Sequence, residues 1–189
     1  MRMRVKKIVT LLMVCSLLAS TFLLTGCASG GEAVASSVRT KLILALNNLD
    51  YDAYYNLAYP ALREDITKEK DELGLSDKDY MQHIRDELYP FDYDTMISES
   101  SLKFTGNTTY DAEQLKWIND EFIYYDDYVT IDSAKNVDFL IRDYKYTDET
   151  APALYRADLV IVSADSNYYF VYFSISDTPY EEDATTPAE

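Results

Sequence analysis

The side chain best suited to acid–base chemistry is a histidine. His83 is the only histidine in the chain, and an imidazole is the usual proton carrier near neutral pH. It lies beside the apolar stripe of its segment, which Tyr80, Ile84 and Leu88 mark. This favours a surface or half-buried position on a helix over a catalytic one. The sequence therefore predicts no catalytic residue.

Closely spaced carboxylates offer a second kind of chemistry, the binding of a hard cation. They occur as the pairs Asp50/Asp52, Asp77/Asp79, Asp92/Asp94 and Asp126/Asp127. A calcium loop needs about six to eight oxygen ligands and a glycine for its turn. No pair has a third ligand and a glycine at that spacing, so the sequence predicts no metal site. The pairs nearest to one are Asp92/Asp94 and Asp126/Asp127.

Other catalytic and cofactor motifs are absent from the sequence. Beyond residue 31 the glycines are Gly74 and Gly106, too far apart for a loop that cradles a phosphate. No serine lies in a G-x-S-x-G motif, and one histidine does not define a triad. We therefore expect no cofactor.

Tyrosine is unusually frequent, with 18 residues. Its ring is flat and apolar and its tip is polar, which suits ligand and protein interfaces as well as cores. Packing explains most single tyrosines in predicted helices and strands. As groups, Tyr124 with Tyr125, and Tyr168 with Phe170 and Tyr172, are the predicted wall of a ligand-binding pocket or partner surface.

The N-terminal residues read as an export signal. Four basic residues precede an apolar run over residues 8–24, and Leu24-Thr25-Gly26-Cys27 follows. This stretch resembles the lipobox of bacterial lipoproteins. The resemblance implies a signal peptide over residues 1–26, lipidation of Cys27, and a short tether over residues 27–32. It places the protein at the extracytoplasmic face of the cell membrane. An ordinary signal peptide and a short membrane-spanning helix are the alternatives.

Charge excludes one class of partner. Residues 1–26 hold four of the 17 basic residues and none of the 33 acidic ones, so the remainder has 13 basic and 33 acidic residues and a net charge of −20. Such a surface repels nucleic acid and anionic lipid headgroups. Solubility outside the cell accounts for it, and attraction of cations or basic polypeptides is the alternative. Cys15 and Cys27 are the only cysteines, so no disulfide is expected after cleavage.

Apolar spacing predicts helices first and strands later. Helices are expected over residues 33–49, from the cap Asp50 to about residue 60, after Ser76 with Asp79 as a capping partner, and after Asp111 with Gln114. Strands are expected over residues 95–104, 128–131, 137–146, 154–163 and 168–176. The last strand is apolar on both sides, which predicts a central strand or a cavity wall. Residues 33–177 are expected to form one domain, and residues 178–189 a disordered acidic tail.

The step from Leu49 through Asp50-Tyr51-Asp52-Ala53 into a second helix is similar to the opening of bacterial lipoproteins with a nuclear-transport-factor-two-like (cystatin-like) domain. The closing hairpin over residues 154–176 is similar to theirs as well, with a turn at Asp165-Ser166-Asn167. The resemblance implies an α+β fold with helices on one face of a curved antiparallel sheet, closed into a cone with a pocket.

That superfamily includes enzymes as well as binding modules, so fold does not select function. We expect a non-enzymatic module that binds a small ligand or an envelope protein. The alternatives are an enzyme acting on a small substrate, of isomerase, dehydratase or hydrolase type, and a calcium-responsive interaction module.

Overall fold

The computed structural model describes residues 29–90, 96–142 and 153–180. All the packing reported below lies within the unit Gly31–Glu189. The predicted signal peptide, Cys27, the Asp92/Asp94 pair and residues 181–189 of the expected tail are outside the described residues.

Five helices and four strands make up the described part of the chain. The helices are α1 (Ser29–Asn48), α2 (Tyr51–Leu57), α3 (Pro60–Leu73), α4 (Asp77–Leu88) and α5 (Ala112–Phe122). The strands are β1 (Leu102–Thr109), β2 (Ile131–Arg142), β3 (Leu154–Ala164) and β4 (Asn167–Pro179). A single 3-10 turn, Glu99–Ser101, precedes β1. The predicted α+β class is confirmed.

Local hydrogen bonds set the helix starts that the sequence predicted. The side chain of Asp50 accepts a hydrogen bond from the N–H of Ala53 at the start of α2. Ser76 accepts one from the N–H of Asp79 at the start of α4. Asp111 and Gln114 form a complete capping box at the start of α5. Each bond satisfies a backbone N–H that has no partner within its helix.

The strands form an open antiparallel sheet in the order β1-β2-β3-β4. β1 begins seven residues later than the predicted strand, and residues 128–130 are irregular, so β2 starts at Ile131. β4 runs on through Thr178 and Pro179, which the sequence assigned to the tail. Of the two alternatives predicted for the last strand, a central position is wrong, because β4 lies at an edge and β2 and β3 occupy the centre. The other alternative, a cavity wall, agrees with Tyr168 and Tyr169, which line the groove described below.

The sheet buries side chains on both faces. Leu159 and Ile161 of β3 belong to one apolar cluster, whereas Val160 and Val162 belong to another. Residues of α1, α2 and α4 pack in the first cluster, and α5 packs in the second. We call these sides the first and second faces. The expectation that helices cover one face is therefore wrong for α5. Successive apolar residues in β3 require cover on both sides.

A bulge in β4 changes which of its side chains share a face. Phe170 pairs with Ile161, but Tyr172 pairs with the preceding residue of β3, Val160, so Val171 is an extra residue. Phe170 and Phe173 consequently lie in the first cluster, and Tyr172 lies in the second. Strict alternation predicts the opposite for every residue after Val171.

Candidate functional site

The larger described cavity is an open groove of about 680 Å³ between α1, α2 and the turn that joins β3 to β4. Its apolar lining includes Leu44 of α1, Leu57 of α2, and Tyr168 and Tyr169 of β4. Leu44 and Tyr168 are 51% and 47% exposed. Exposed apolar side chains at the rim of a concavity are typical of a binding site.

Two local features place these walls. Leu49 adopts a positive φ of 54° after the last turn of α1, and Asp50 then caps α2, so the chain turns sharply between the helices. In the turn that joins β3 to β4, Asp165 and Ser166 have φ values of 47° and 61°. Positive φ at both central residues is typical of a tight two-residue hairpin turn. That turn brings Tyr168 to the groove.

The polar lining of the groove is mostly uncharged. Ser37, Asn48, Asn56 and Asn167 contribute hydroxyl and amide groups, and Lys41 supplies a positive charge. Asp50 also lies there, with its carboxylate bound to the backbone of α2. Such a lining can hold an apolar body by contact and orient its polar groups by hydrogen bonds.

Of the five predicted pocket residues, Tyr168 lines the groove and the rest do not. Phe170 is buried, with its ring centroid 5.1 Å from that of Tyr54. Tyr172 lies on the other face of the sheet because of the bulge at Val171. The predicted wall of Tyr168, Phe170 and Tyr172 is therefore not a single surface.

Tyr124 and Tyr125 lie in a different region, after the end of α5. Tyr124 is 92% exposed. Tyr125 packs edge-on against Phe122, and its hydroxyl donates to the Asp65 carboxylate at 3.0 Å. A second, more open cavity of about 600 Å³ lies between α3 and Asp127, and neither tyrosine lines it or the groove. The structure does not bring these tyrosines together with Tyr168.

The described structure contains a carboxyl pair that the sequence reading missed. Asp138 of β2 and Asp158 of β3 are directly opposed in the sheet register and hydrogen-bonded through their side chains. In each strand, the residues immediately before and after the aspartate belong to the first cluster. Because side chains of a strand alternate between faces, both carboxyl groups lie on the second face. Along β2, Asp138 lies four residues, about 13 Å, beyond Ala134. Ala134 belongs to the second cluster, in which α5 packs. Asn136 donates a hydrogen bond to Asp138 at 2.9 Å.

This pairing changes the acid–base behaviour of Asp138. Burial first, and then the hydrogen bond and negative charge of Asp158, raise its pKa from 3.8 to about 7, against the opposing effects of Arg156 and Asn136. A carboxyl group that holds its proton near neutral pH can serve as a general acid or base. The available signal was a single acid within each of the apolar runs over residues 137–141 and 157–162. The pairing of these two acids depends on strand register, which the sequence does not show.

The histidine and the closely spaced carboxylates of α2 and α4 lie on helix surfaces or in helix caps. His83 is half-exposed on α4, with its Nε2 3.6 Å from the Glu87 carboxylate. Asp77 binds Lys70 at 2.6 Å, and Asp79 accepts a hydrogen bond from the Ser76 hydroxyl. Within the described ranges, no three histidine, cysteine or acidic side chains come together in a way that could hold a metal ion.

The groove and the carboxyl pair are thus separate candidates, one suited to non-covalent binding and one to proton transfer. No helix in the described part of the chain is long and apolar enough to cross a membrane. Comparison of the chain with protein-family models, with curated proteins and with solved structures found no match.

Proposed function

We propose that this protein is a lipoprotein, anchored through Cys27 at the extracytoplasmic face of the cell membrane, whose domain binds a small ligand in the groove. The observation that carries the binding function is the groove itself, with the exposed apolar side chains of Leu44 and Tyr168 in its lining. Its volume of about 680 Å³ lies within the range of about 300–1,000 Å³ usual for small-molecule sites.

The chemistry of the lining defines the ligand class. Apolar side chains and neutral amides favour an amphiphilic molecule with an extended apolar part, and Lys41 favours an anionic group at one end. We further propose that the domain belongs to the cone-like, nuclear-transport-factor-two-like class. The antiparallel sheet and the helices α1 and α2 joined at Asp50 support that assignment.

Native mass spectrometry tests the binding function. The full-length protein, purified from membranes in a mild detergent, should carry a reproducible added mass that is lost on collisional activation. Leu44→Asp should remove this mass because it places a charge on the apolar wall. Leu73→Asp is the matched control, since Leu73 is a similarly exposed helical leucine (48%) outside the groove lining. An adduct that survives Leu44→Asp would contradict the proposal.

The anchor has its own test. Cys27→Ala should release the protein from the membrane fraction, because the thiol that would carry the lipid is lost. Cys15→Ala is the control, since Cys15 lies in the proposed signal peptide and should not affect anchoring. Retention of the Cys27→Ala variant at the membrane would contradict lipidation at that residue.

A second candidate function, catalysis, is favoured by the raised pKa of Asp138. The carboxyl pair could protonate a leaving group or activate water in a hydrolytic reaction. Hydrolysis of simple chromogenic esters or glycosides by the wild type, lost in Asp138→Asn, would support it. Neither described cavity is lined by this pair, which is why binding in the groove is the leading proposal.

A further inference from the structure

The outward face of α3 carries uncompensated negative charge. Helical residues three and four positions apart share one face, and on α3 such residues wall the second cavity of about 600 Å³, namely Glu64, Thr67, Lys68, Asp71 and Glu72. Asp127 adds a carboxylate from the segment after α5, so four acids oppose one lysine. Among the described residues, Glu64, Glu72 and Asp127 form no ion pair. The cavity therefore has a net negative charge that a bound group can neutralise.

Two exposed apolar side chains lie close to this cavity in the chain. Residues 123–127 form a turn after α5, which we call the α5 turn. Within it, Ile123 is 52% exposed and Tyr124 is 92% exposed. Tyr124 precedes Asp127 by three residues, so their Cα atoms are at most about 11 Å apart. Apolar side chains rimmed by charge are typical of protein interfaces, where tyrosine contributes strongly to binding.

The α5 turn is attached to α3. The hydroxyl of Tyr125 donates to the Asp65 carboxylate of α3 at 3.0 Å, and the ring of Tyr125 packs edge-on against Phe122. Tyr125 is thus held against the domain while its neighbour Tyr124 extends into solvent. A side chain on a fixed turn loses little conformational entropy when a partner covers it. We call the second cavity, with Ile123 and Tyr124 beside it, the α3–α5 surface.

We propose that the α3–α5 surface docks a basic segment of another protein. Lysine or arginine side chains of that segment enter the second cavity, and an apolar side chain packs on Tyr124. The α3–α5 surface shares no cavity-lining residue with the groove, so this inference does not depend on the proposed ligand-binding function.

Charge selects this partner over the others. The chain has a net charge of −16, and its acidic cavity repels nucleic acid, an anionic membrane surface and a second copy of the chain. A small cation would neutralise the carboxylates but would leave Ile123 and Tyr124 uncovered. A basic polypeptide with an apolar side chain matches both parts of the surface.

Peptide binding to the full-length protein in a non-ionic detergent tests the proposal. The probe is a fluorescent peptide of about twelve residues, made of lysine and serine with two leucines, and its partner peptide has serine in place of both leucines. Fluorescence anisotropy at about 0.15 M salt, where charges more than about 8 Å apart are screened, gives each dissociation constant. The leucine-containing peptide should bind with a dissociation constant below about 1 mM, at least about tenfold more tightly than the serine peptide.

Two substitutions of exposed side chains locate the binding. Tyr124→Ala should weaken binding of the leucine-containing peptide at least about tenfold, because it removes the apolar contact. Glu72→Lys should weaken it at least about tenfold, because it places a positive charge in the cavity. Tyr168→Ala is the control for the first, since Tyr168 is an exposed tyrosine of the groove. Glu87→Lys is the control for the second, since Glu87 is an exposed acid of α4.

Each outcome bears on the proposal. Weaker binding in Tyr124→Ala and Glu72→Lys, with binding within about twofold of wild type in both controls, would establish docking at the α3–α5 surface. Absence of binding up to about 1 mM peptide would overturn it. Equal binding of the two peptides, or equal losses in Glu72→Lys and Glu87→Lys, would overturn it by showing attraction of cationic groups alone. Loss in Tyr168→Ala would assign the peptide to the groove, and a dimer in sedimentation velocity that Tyr124→Ala dissociates would assign the surface to a second copy; either would also overturn it.

Discussion

Replacing Asp138 by Asn should make the domain more stable at neutral pH. Asp138 and Asp158 face each other across β2 and β3 and share a hydrogen bond. That bond needs a proton on one of the two carboxyl groups, and it becomes a repulsion when both ionise. An amide at position 138 can donate to Asp158 at any pH and carries no charge.

The pKa of Asp138 gives the direction and size of the effect. The folded chain keeps this proton up to about pH 7, whereas the unfolded chain releases it near pH 3.8. The free energy of unfolding therefore decreases as the pH rises from about 4 to about 7, and this contribution is level above that range. At about 1.4 kcal/mol for each tenfold change in proton affinity, the difference between a pKa of 3.8 and one of about 7 converts to about 4 kcal/mol before solvent screening is considered. Because the carboxyl is only half-buried, solvent screening reduces the expected effect to about 1–2 kcal/mol.

Urea unfolding of wild type and Asp138→Asn at pH 4 and pH 8 measures this effect. The two proteins should have similar stability at pH 4, and the variant should be about 1–2 kcal/mol more stable at pH 8. Its melting temperature at pH 8 should be about 2–8 °C higher. Asp132→Asn is the control, since Asp132 is an exposed acid on the same strand, and it should leave the pH dependence unchanged. An Asp138→Asn variant that is equally or less stable at pH 8 would refute the reasoning.

Two further substitutions test the packing that positions the groove. Asn47→Ala should lower the free energy of unfolding in urea by about 2 kcal/mol, because the amide bonds both the N–H and the carbonyl of Ile97, 50 residues away. The control Asn48→Ala should lower it by less than about 0.5 kcal/mol. Equal losses in the two variants would contradict this role of Asn47. Tyr59→Phe should lower the free energy of unfolding by about 1–3 kcal/mol, because the buried hydroxyl donates to the carbonyl of Val129 and accepts from its N–H. Thermal unfolding measures this loss. An unchanged melting temperature would contradict the prediction by showing that the groups of Val129 find other partners.

Features that depend on neighbouring residues were predictable from the sequence. Asp50, Ser76 and Asp111 were each identified as helix caps, and each makes the expected bond with a residue two or three positions ahead. Apolar spacing predicted a helix over residues 33–49, and α1 spans Ser29–Asn48 with Leu42 and Leu46 fully buried. In these cases the interacting groups are fixed by one element of regular geometry.

Features that depend on distant residues were not predictable in the same way. No role for Asn47 was predicted, yet its amide bonds both backbone groups of Ile97. Tyr172 was grouped with Phe170, but the bulge at Val171 separates them. The groove combines α1, α2 and a hairpin more than 100 residues away. Of its lining residues, the sequence had singled out Tyr168 for a pocket wall.

The sequence by itself determined the α+β class, the helix caps Asp50, Ser76 and Asp111, and the acidic charge of this protein, because these depend on composition and on contacts within a few residues. Its leader predicts a lipid anchor at Cys27. Only the tertiary structure decided that β4 is an edge strand, that α5 covers the second face, and that Asp138 meets Asp158. Strand order and register arise from long-range pairing, and a one-residue bulge reverses the faces without any change in composition.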